Sequence, residues 1–505
     1  MSDAPKKSYG QILKSSAVIG GSSAVTLILG MVRAKAIALM LGTGGAGLWG
    51  MSWSIAELAR GIAGMGLNVS GVRQIAEAVG TGDDRKIART VTTLRRVSLV
   101  LGLGGALLLC ALCVPVGRIS FDDDQHTWAV ALLSLTVLFS IVSQGQSALI
   151  QGMRRIGDLA RINIFGAVLG TVICIPIVYW LREQGIAPAL VGVSLVVMVA
   201  SWWFARQIKV EPVRMTAQDV GGEAAGLLKL GFVFMVSGLM LLGVSYLVNL
   251  ILMQRIDKHA VGLYQAAWLI GGYFANFILQ AMGADFFPRL SAVANDNAKC
   301  NQLVNEQSEV SLLLAGPGLV ATLTFAPLAI HVLQSAEFLP AVDILRLFSL
   351  GMLLRVLSWP MAFIMQAKNA LRVFFVSELL SNLVYLTMVW FAVDVWGVKG
   401  VGVAFIGLYV LYTVGAYGIA RNLSGFRWSR ETIGIASVYT LLAVGVFAAF
   451  QFLSSTVATI IGTVVMLGMG VYSARKICTL VPAERLPRRA RQVLAFLRLL
   501  PSRVN

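Results

Sequence analysis

Charged side chains occur within several long apolar segments of this sequence, and they are the residues best placed to bind a charged solute. A charge inside a lipid bilayer is costly, so charges retained there are candidate functional residues. Cations outnumber acids among them, and a guanidinium group binds phosphate oxygens in a bidentate manner. This surplus predicts a site for phosphate or pyrophosphate and suits a cationic drug badly. The candidates are Arg33, Lys35, Arg60, Arg346, Arg355, Glu57 and Glu378, with Asp285 and Asp394 near the ends of segments.

The spacing of Glu57 and Arg60 allows two interpretations. Residues three positions apart share one face of a helix, so the two side chains can form a local ion pair that lets both lie in the membrane. Alternatively, this face lines a hydrated cavity in which Arg60 meets an anionic substrate. Arg355 has no acid three or four positions away. We therefore expect its counter-charge to come from another helix or a ligand, and we interpret Arg355 as cavity-lining.

The other cations also have alternative interpretations. Arg346 and Arg355 are nine positions apart, about 180° around a helix, so they cannot both face the centre of one narrow groove. Arg33 and Lys35 either contribute to substrate binding or extend their charged ends to the outer membrane surface.

Amide side chains in the second half of the chain form a further candidate set. Asn276 and Gln280 lie one turn apart on one predicted helix face. Their amides either bind the hydroxyl groups of a sugar or form hydrogen bonds between membrane helices. The same two interpretations apply to Asn249, Gln254 and Gln265.

No sequence motif indicates a catalytic or cofactor site. The chain contains no G-x-x-x-x-G-K-[ST] loop, no H-E-x-x-H and no G-x-S-x-G. Cys110 and Cys113 form a C-x-x-C pair inside an apolar segment with no second pair, which favours helix packing over a metal or redox site. We therefore predict no cofactor, no metal and no enzymatic activity, and we interpret the chain as a secondary-type transporter.

The elements that carry these residues are predicted membrane-spanning helices. The sequence is 57% apolar and 13% charged, with a mean hydropathy of +0.79, which is atypical of a soluble chain of 505 residues. Apolar runs of about 20 residues are long enough to cross about 30 Å of hydrocarbon. The predicted fold class is an all-α polytopic membrane protein with about fourteen transmembrane helices. They lie near residues 14–38, 45–69, 93–115, 127–150, 161–180, 186–205, 227–252, 261–286, 308–332, 341–365, 373–396, 400–420, 432–453 and 456–474.

The chain resembles itself at an offset of 215 positions. Ala46-Gly47-Leu48-Trp49 recurs as Val261-Gly262-Leu263-Tyr264, and Gln151 falls on Gln366. Six spans in each copy give both copies the same orientation, so we predict two parallel six-helix bundles that face a central cavity and are related by a near two-fold axis along the membrane normal. The predicted domains are an N-terminal bundle at 1–206, a cytoplasmic linker at 207–226, a C-terminal bundle at 227–423, two additional transmembrane helices at 424–476 and a basic amphipathic tail at 477–505.

The net charge of +17 follows this predicted topology and does not indicate nucleic acid. Most of the 41 Lys and Arg residues fall on the side of the membrane that holds the N-terminus. The positive-inside rule therefore predicts that both termini are cytoplasmic. The basic tail is expected to lie on the anionic inner leaflet, which makes membrane lipids a predicted partner.

The beginning of the chain resembles a known family. The stretch GMVRAKAIALMLG at residues 30–42, GGAGLW at 44–49 and GMGL at 64–67 are similar to the O-antigen translocases. These proteins are lipid-linked oligosaccharide flippases of the multidrug, oligosaccharidyl-lipid and polysaccharide exporter superfamily. The resemblance covers the whole chain in topology and is most visible in the first 90 residues.

The resemblance implies transport by alternating access, without ATP, across the bacterial inner (cytoplasmic) membrane. The implied substrate is an undecaprenyl-pyrophosphate-linked oligosaccharide, either an O-antigen or a similar polysaccharide repeat unit, which moves from the inner to the outer leaflet. The resemblance leaves open whether H⁺ or Na⁺ is a coupling ion and whether a polysaccharide polymerase is a partner. The alternatives are a lipid II flippase for peptidoglycan and a multidrug exporter of the same fold. A membrane polymerase is disfavoured because the chain has no large loop to hold catalytic residues.

Overall fold

A computed structural model describes the backbone of residues 4–121, 125–210 and 213–480. The side chains of residues 4–20, 217, 233, 237, 273–285 and 480 lie outside the description. Within these ranges the chain is almost wholly α-helical and contains no strand. The helices are α1 (Ala4–Ala63), α2 (Leu67–Thr81), α3 (Asp84–Ala111), α4 (Cys113–Phe121), α5 (Thr127–Gly152), α6 (Ile156–Leu181), α7 (Ile186–Ala205), α8 (Ala217–Arg255), α9 (Lys258–Ala292), α10 (Asn297–Thr324), α11 (Ala326–Leu333), α12 (Ala341–Ala367), α13 (Leu371–Trp396), α14 (Lys399–Ser424), α15 (Arg430–Phe452) and α16 (Ser455–Leu480).

Short polar side chains fix the starts of several helices that lead into the membrane. Asp83 precedes α3, and its carboxylate accepts hydrogen bonds from the backbone N–H groups of Arg85 and Lys86 at 2.9 and 3.3 Å. Thr216 and Asp219 cap the start of α8 reciprocally, each side chain accepting from the other's backbone N–H. The hydrogen bond from the Thr216 hydroxyl also lowers the pKa of Asp219 below its ordinary value. These caps satisfy N–H groups that have no partner within the helix.

A glycine divides the longest helix into two parts. Gly42 lies inside α1 with φ 64° and ψ −164°, a conformation that a residue with a Cβ rarely adopts. The 60 residues of α1 therefore hold two of the predicted spans, one on each side of Gly42. A second left-handed glycine, Gly66, begins α2 where the chain leaves α1. A Cβ at Gly66 would lie 2.1 Å from the carbonyl oxygen of Gly231, so α8 approaches closely there.

The described residues contain ten helical segments that are long and apolar enough to cross a membrane, or eleven if the bent pair α10 and α11 forms one span. This confirms the predicted all-α polytopic membrane fold. Two of the ten, at 21–63 and 156–205, are 43 and 50 residues long, and each covers two predicted spans. At about 1.5 Å per residue each is about twice as long as one crossing requires. The count of fourteen stays a prediction, which these long segments support.

The chain divides into two compact units, and the boundary falls within α9. Unit 1 comprises residues 1–262 and 333–335, and unit 2 comprises residues 263–332 and 336–505. In unit 1, α5 packs between α3 and α7, while α6 packs on α7 and α1, and α8 packs on α1 and α2. Because α8 belongs to this compact unit, the unit extends beyond residue 206. The predicted division into repeats concerns internal similarity rather than compactness and stays a prediction.

Unit 2 is organised around α12. This helix packs against α10 and α14, and α13 packs on α14. Edge-to-face contacts join Phe348 of α12 to Trp268 of α9 and Phe405 of α14, with ring centroids 5.5 and 5.1 Å apart. The last two helices, α15 and α16, pack on α10. Of the predicted basic tail, residues 481–505 lie outside the described residues.

Candidate functional sites

A polar cavity of about 470 Å³ lies inside unit 1. It is formed by the second half of α1 together with α2, α5, α6 and α7, so five helices place side chains around one volume. Its only charged lining residues among those described are Glu57 and Arg60. The other polar lining residues are Asn68, Thr136, Ser140, Ser143, Gln144, Ser147, Gln151, Asn163 and Ser194.

Glu57 and Arg60 form an ion pair at the wall of this cavity. The Arg60 Nε donates to Glu57 Oε1 at 3.0 Å, and Arg60 Nη2 donates to Glu57 Oε2. Both side chains keep roughly a quarter of their surface exposed, at 25% and 22%. The two sequence-based interpretations therefore coexist, because the residues pair and also line a cavity. A guanidinium has five N–H donors, so Arg60 has donors left for a second acceptor.

Most of the other polar lining residues were not predicted from the sequence. Ser140, Gln144, Ser147 and Gln151 follow one another on α5 at intervals of three or four positions and all line the cavity. Such spacing puts them on one face of a helix. This polar stripe within an apolar segment is the signal that would have predicted them.

Unit 2 places Arg355 among aromatic side chains. Arg355 lies on α12, and its Cζ is 6.0 Å from the centroid of the Tyr409 ring on α14. Its Nη1 is 3.7 Å from the sulfur of Met352. Among the residues whose side chains are described, no carboxylate lies within ion-pair distance of this guanidinium. A half-buried cation without a described counter-ion is suited to bind an anion.

Glu378 belongs to the same group of side chains. It lies on α13 and accepts a hydrogen bond of 2.7 Å from the hydroxyl of Tyr412. The Tyr412 ring contacts the Tyr409 ring, with centroids 6.0 Å apart. The structure thus connects Arg355 and Glu378 through two tyrosines of α14. We call these four residues the tyrosine cluster.

The residues of the tyrosine cluster lie 215 positions after residues of the unit 1 cavity, which makes them equivalent under the predicted repeat. Subtracting the offset of 215 from each residue of the tyrosine cluster gives a residue that lines the cavity. Where unit 1 has small or neutral side chains around an open volume, unit 2 has an arginine, a glutamate and two aromatic rings. The pairs are Ser140 with Arg355, Asn163 with Glu378, Ser194 with Tyr409 and Val197 with Tyr412.

Arg346 is used in helix packing. It is buried, with 7% of its surface exposed, and its Nε donates to the backbone oxygen of Leu323 at 3.3 Å. Its Cζ lies 3.7 Å from the centroid of the Phe450 ring on α15. Asp343 is 3.7 Å from Arg346 Nη1, although Lys399 lies nearer to Asp343, at 2.5 Å. These contacts link α10, α12 and α15 and favour a packing role, and substrate binding by Arg346 stays a prediction.

The remaining candidates lie apart from the cavity or outside the described side chains. Arg33 and Lys35 are half-buried on α1 in unit 1 and do not line the cavity. Asn276 and Gln280 lie on α9, but their side chains are outside the description, so their role stays a prediction. Asn249 is buried and donates to Ser54 Oγ at 2.7 Å, a hydrogen bond between α8 and α1.

Two repeat-equivalent glycines meet where α1 and α9 cross in unit 1. A Cβ at Gly47 would lie 1.8 Å from the backbone oxygen of Lys258, and one at Gly262 would lie 2.0 Å from that of Thr43. The two contacts are symmetric, because Lys258 and Gly262 lie 215 positions after Thr43 and Gly47. Beside them, Thr43 Oγ1 is 2.8 Å from His259 Nδ1. Only glycine allows helices to approach this closely.

The site residues do not suggest a metal centre. In the described part of the chain, no three His, Cys, Asp or Glu side chains lie together in a group that could hold a metal ion.

Residues 36–343 match the model of a family described as polysaccharide biosynthesis protein. The lipid III flippase of Escherichia coli (strain K12) is 20% identical over 405 residues, which are 79% of this chain and 96% of that protein. The lipid III flippase of Shigella flexneri matches to the same extent.

Two solved structures share the fold. One is the lipid II flippase MurJ in an inward closed conformation, with a TM-score of 0.66 at 15% identity. The match covers 92% of this chain and 99% of MurJ. The other is the inward-facing conformation of a multidrug resistance MATE family transporter of the MOP superfamily, with a TM-score of 0.62 at 14% identity over 77% of this chain and 95% of the transporter.

Proposed function

Since the chain belongs to the polysaccharide biosynthesis protein family, within the superfamily predicted from its sequence, we propose that it is a flippase for a lipid-linked sugar precursor. The observation that carries the proposal is the match to lipid III flippases over 96% of their length. The family description supports the part of the proposal that concerns a sugar precursor. The names of the relatives support the parts that concern a lipid carrier and transport by flipping.

The finer proposal is an undecaprenyl-pyrophosphate-linked oligosaccharide, an O-antigen or similar repeat unit, that moves from the inner to the outer leaflet of the bacterial inner membrane. Its support is the cationic surplus of the membrane segments. Arg355 offers an arginine without a described counter-ion, and Arg60 has donors beyond those that bind Glu57. Bidentate binding of a phosphate oxygen pair suits both guanidinium groups. Asn276 and Gln280 are proposed to bind sugar hydroxyls.

Transport is proposed to occur by alternating access of the two parallel repeats, without ATP, with both termini in the cytoplasm. A phosphate that binds the remaining donors of Arg60 shares its positive charge with Glu57 and so weakens the ion pair. Glu57 is then freed to bind H⁺ or Na⁺, which makes it our candidate for ion coupling. A polysaccharide polymerase that takes the delivered precursor is the proposed protein partner.

A lipid II flippase is the second candidate. The observation that favours it is coverage, because the MurJ fold matches 92% of this chain while the multidrug transporter matches 77%. A multidrug exporter is disfavoured by the surplus of cations.

Complementation separates these candidates. We expect the gene to restore surface polysaccharide in a strain that lacks its O-antigen flippase, and to leave a strain depleted of its lipid II flippase inviable. Arg355→Ala, produced at the wild-type level, is expected to restore no polysaccharide. Rescue of the lipid II strain alone would replace the proposed substrate with lipid II, and rescue of neither strain would contradict the proposal.

A further inference from the structure

A second cavity of unit 1, of about 640 Å³, carries basic side chains that transport does not explain. Its walls are α3 and α7, its floor is α5, and Ile208, Lys209 and Val210 after α7 close one end. Arg95 of α3, Arg206 at the end of α7 and Lys209 line it. We call it the basic pocket. No acidic side chain lines it among the described residues, so the pocket attracts anions.

The framework of the basic pocket is well ordered by close helix packing. A Cβ at Gly145 of α5 would lie 2.7 Å from the Ser98 side chain of α3, so the backbone of α5 packs closely on that side chain. On the other side, the Ser201 hydroxyl of α7 donates to the Gln146 side chain of α5. These contacts join the three helices that form the pocket.

Two tryptophan rings orient the guanidinium group of Arg206. The Cζ of Arg206 lies 4.0 Å from the centroid of the Trp203 ring and 5.0 Å from that of Trp202. Among the described residues, neither Arg206 nor Arg95 forms an ion pair with a carboxylate. Stacking restricts the guanidinium without neutralising its charge. Tryptophan next to arginine is typical of the level at which lipid headgroups meet hydrocarbon.

Exposed aliphatic side chains continue from the basic pocket toward the middle of the membrane. On α3, Leu99, Leu103 and Leu107 recur every fourth position and are exposed. On α7, Leu195 and Val199 are exposed on the opposite wall. A ligand with a phosphate at one end and acyl chains at the other matches this arrangement, because Leu99 both lines the charged pocket and begins the aliphatic row on α3.

We propose that the basic pocket binds the headgroup of an anionic phospholipid of the surrounding membrane, such as phosphatidylglycerol. Arg95, Arg206 and Lys209 contact the phosphate, and the acyl chains lie along α3 and α7. The pocket includes residues of the segment that joins the two predicted repeats, so a bound lipid holds the start of that segment against α3, α5 and α7. The proposal does not rest on the transported substrate.

Native mass spectrometry of the full-length protein, titrated with dioleoyl phosphatidylglycerol, tests the proposal. We expect Arg95→Gln/Arg206→Gln to weaken the apparent affinity by about tenfold or more, since each basic group near a membrane surface contributes severalfold. The matched control is Arg85→Gln/Lys86→Gln, which removes two exposed cations from the start of α3 and is expected to stay within about twofold of wild type. Unchanged lipid binding by the first variant, or an equal loss in both, would overturn the proposal.

Further arms identify the source of the phosphate and guard against misfolding. Undecaprenyl pyrophosphate replaces the phospholipid in one titration, and inorganic phosphate is added as a competitor in another. If the double variant loses only undecaprenyl pyrophosphate, or if inorganic phosphate displaces the phospholipid, the assignment to a membrane phospholipid is wrong.

If the double variant unfolds in phosphatidylcholine nanodiscs, Arg206→Lys is tested in its place, because this variant keeps the charge but loses the planar stacking. It is expected to bind phosphatidylglycerol about threefold more weakly, and wild-type binding by this variant would overturn the proposal.

Discussion

Unit 1 and unit 2 have different side chains at positions that the predicted repeat makes equivalent. Where unit 1 has Ser194, beside an open cavity of about 470 Å³, unit 2 has Tyr409, whose ring packs on Tyr412 and faces Arg355. The cations differ as well. Arg60 is paired with Glu57 on its own helix, whereas no described carboxylate pairs with Arg355.

This difference between the two arginines suggests that unit 1 and unit 2 contribute differently to substrate binding. A cation whose charge is already matched by Glu57 gains less from a phosphate, because the neighbouring carboxylate repels the phosphate. Arg355 has no such competitor among the described residues, so it is expected to bind the pyrophosphate more strongly. The open volume in unit 1 can hold water or substrate groups, while in unit 2 the tyrosine rings lie beside Arg355 and Glu378.

The largest expected effect is at Arg355. Arg355→Ala should reduce flipping of a pyrophosphate-linked oligosaccharide by about 100-fold or more, the loss of two charge-assisted hydrogen bonds. Arg355→Lys should restore only part of the activity, because an ammonium group cannot bind two oxygens in a planar fork. Flipping by purified, reconstituted variants is the measurement. Full activity of the alanine variant would show that Arg355 does not bind the substrate.

Arg60→Ala is expected to reduce flipping less than Arg355→Ala does and to destabilise the protein as well. The change leaves Glu57 without its partner at a partly buried site, which costs about 1–3 kcal/mol. Glu57→Gln/Arg60→Ala should therefore recover the thermal unfolding midpoint without recovering transport. If the double variant transports normally, Arg60 is only the counter-ion of Glu57.

Exchanging the small residue of unit 1 for its aromatic equivalent tests whether the open volume matters. Ser194→Tyr introduces the side chain that unit 2 has at position 409 and partly fills the cavity. We expect flipping to fall by about tenfold while the folded protein remains. The matched control is Ser194→Ala, which preserves the volume and should keep nearly wild-type flipping. Equal activity of the tyrosine and alanine variants would remove the cavity from the transport path.

Arg346 should have the smallest effect on transport per folded molecule. Arg346→Ala removes contacts with the backbone of Leu323 and the ring of Phe450, so we expect a loss of about 1–3 kcal/mol in stability. Flipping normalised to the amount of folded protein should stay within about twofold of wild type. A loss as large as that of Arg355→Ala would return Arg346 to the substrate site.

Part of the fold and part of the candidate site could be predicted from the sequence. Apolar runs of membrane length predicted the polytopic helical fold, and the spacing of Glu57 and Arg60 predicted a shared face. The kink at Gly42 falls between the spans predicted at 14–38 and 45–69, but the positive φ of this glycine was not predicted, because no residue pattern distinguishes it from the other glycines nearby. Tyr409 and Tyr412 were missed because aromatic residues in an apolar segment are usually packing residues.

The packing contacts of Arg346 could not be predicted from the sequence, because they join distant segments of the chain. Its nearest ring, Phe450, lies about a hundred positions later in the chain, and no local pattern relates the two residues. For the tyrosine cluster, the offset of 215 is a better guide than the local spacing of residues. Applying the offset of 215 to the polar residues Ser140, Asn163 and Ser194 leads to Arg355, Glu378 and Tyr409.

The central claim is that this chain flips a lipid-linked, pyrophosphate-bearing oligosaccharide and that Arg355 binds the pyrophosphate. The most direct measurement reconstitutes the purified protein in liposomes with a fluorescent undecaprenyl-pyrophosphate oligosaccharide and follows the fraction that becomes accessible to a membrane-impermeant quencher. We predict that wild-type protein moves the labelled lipid between leaflets, while Arg355→Ala does so no faster than protein-free liposomes. Equal rates for wild-type protein and protein-free liposomes would contradict the proposed function, and equal rates for wild type and Arg355→Ala would contradict the proposed site.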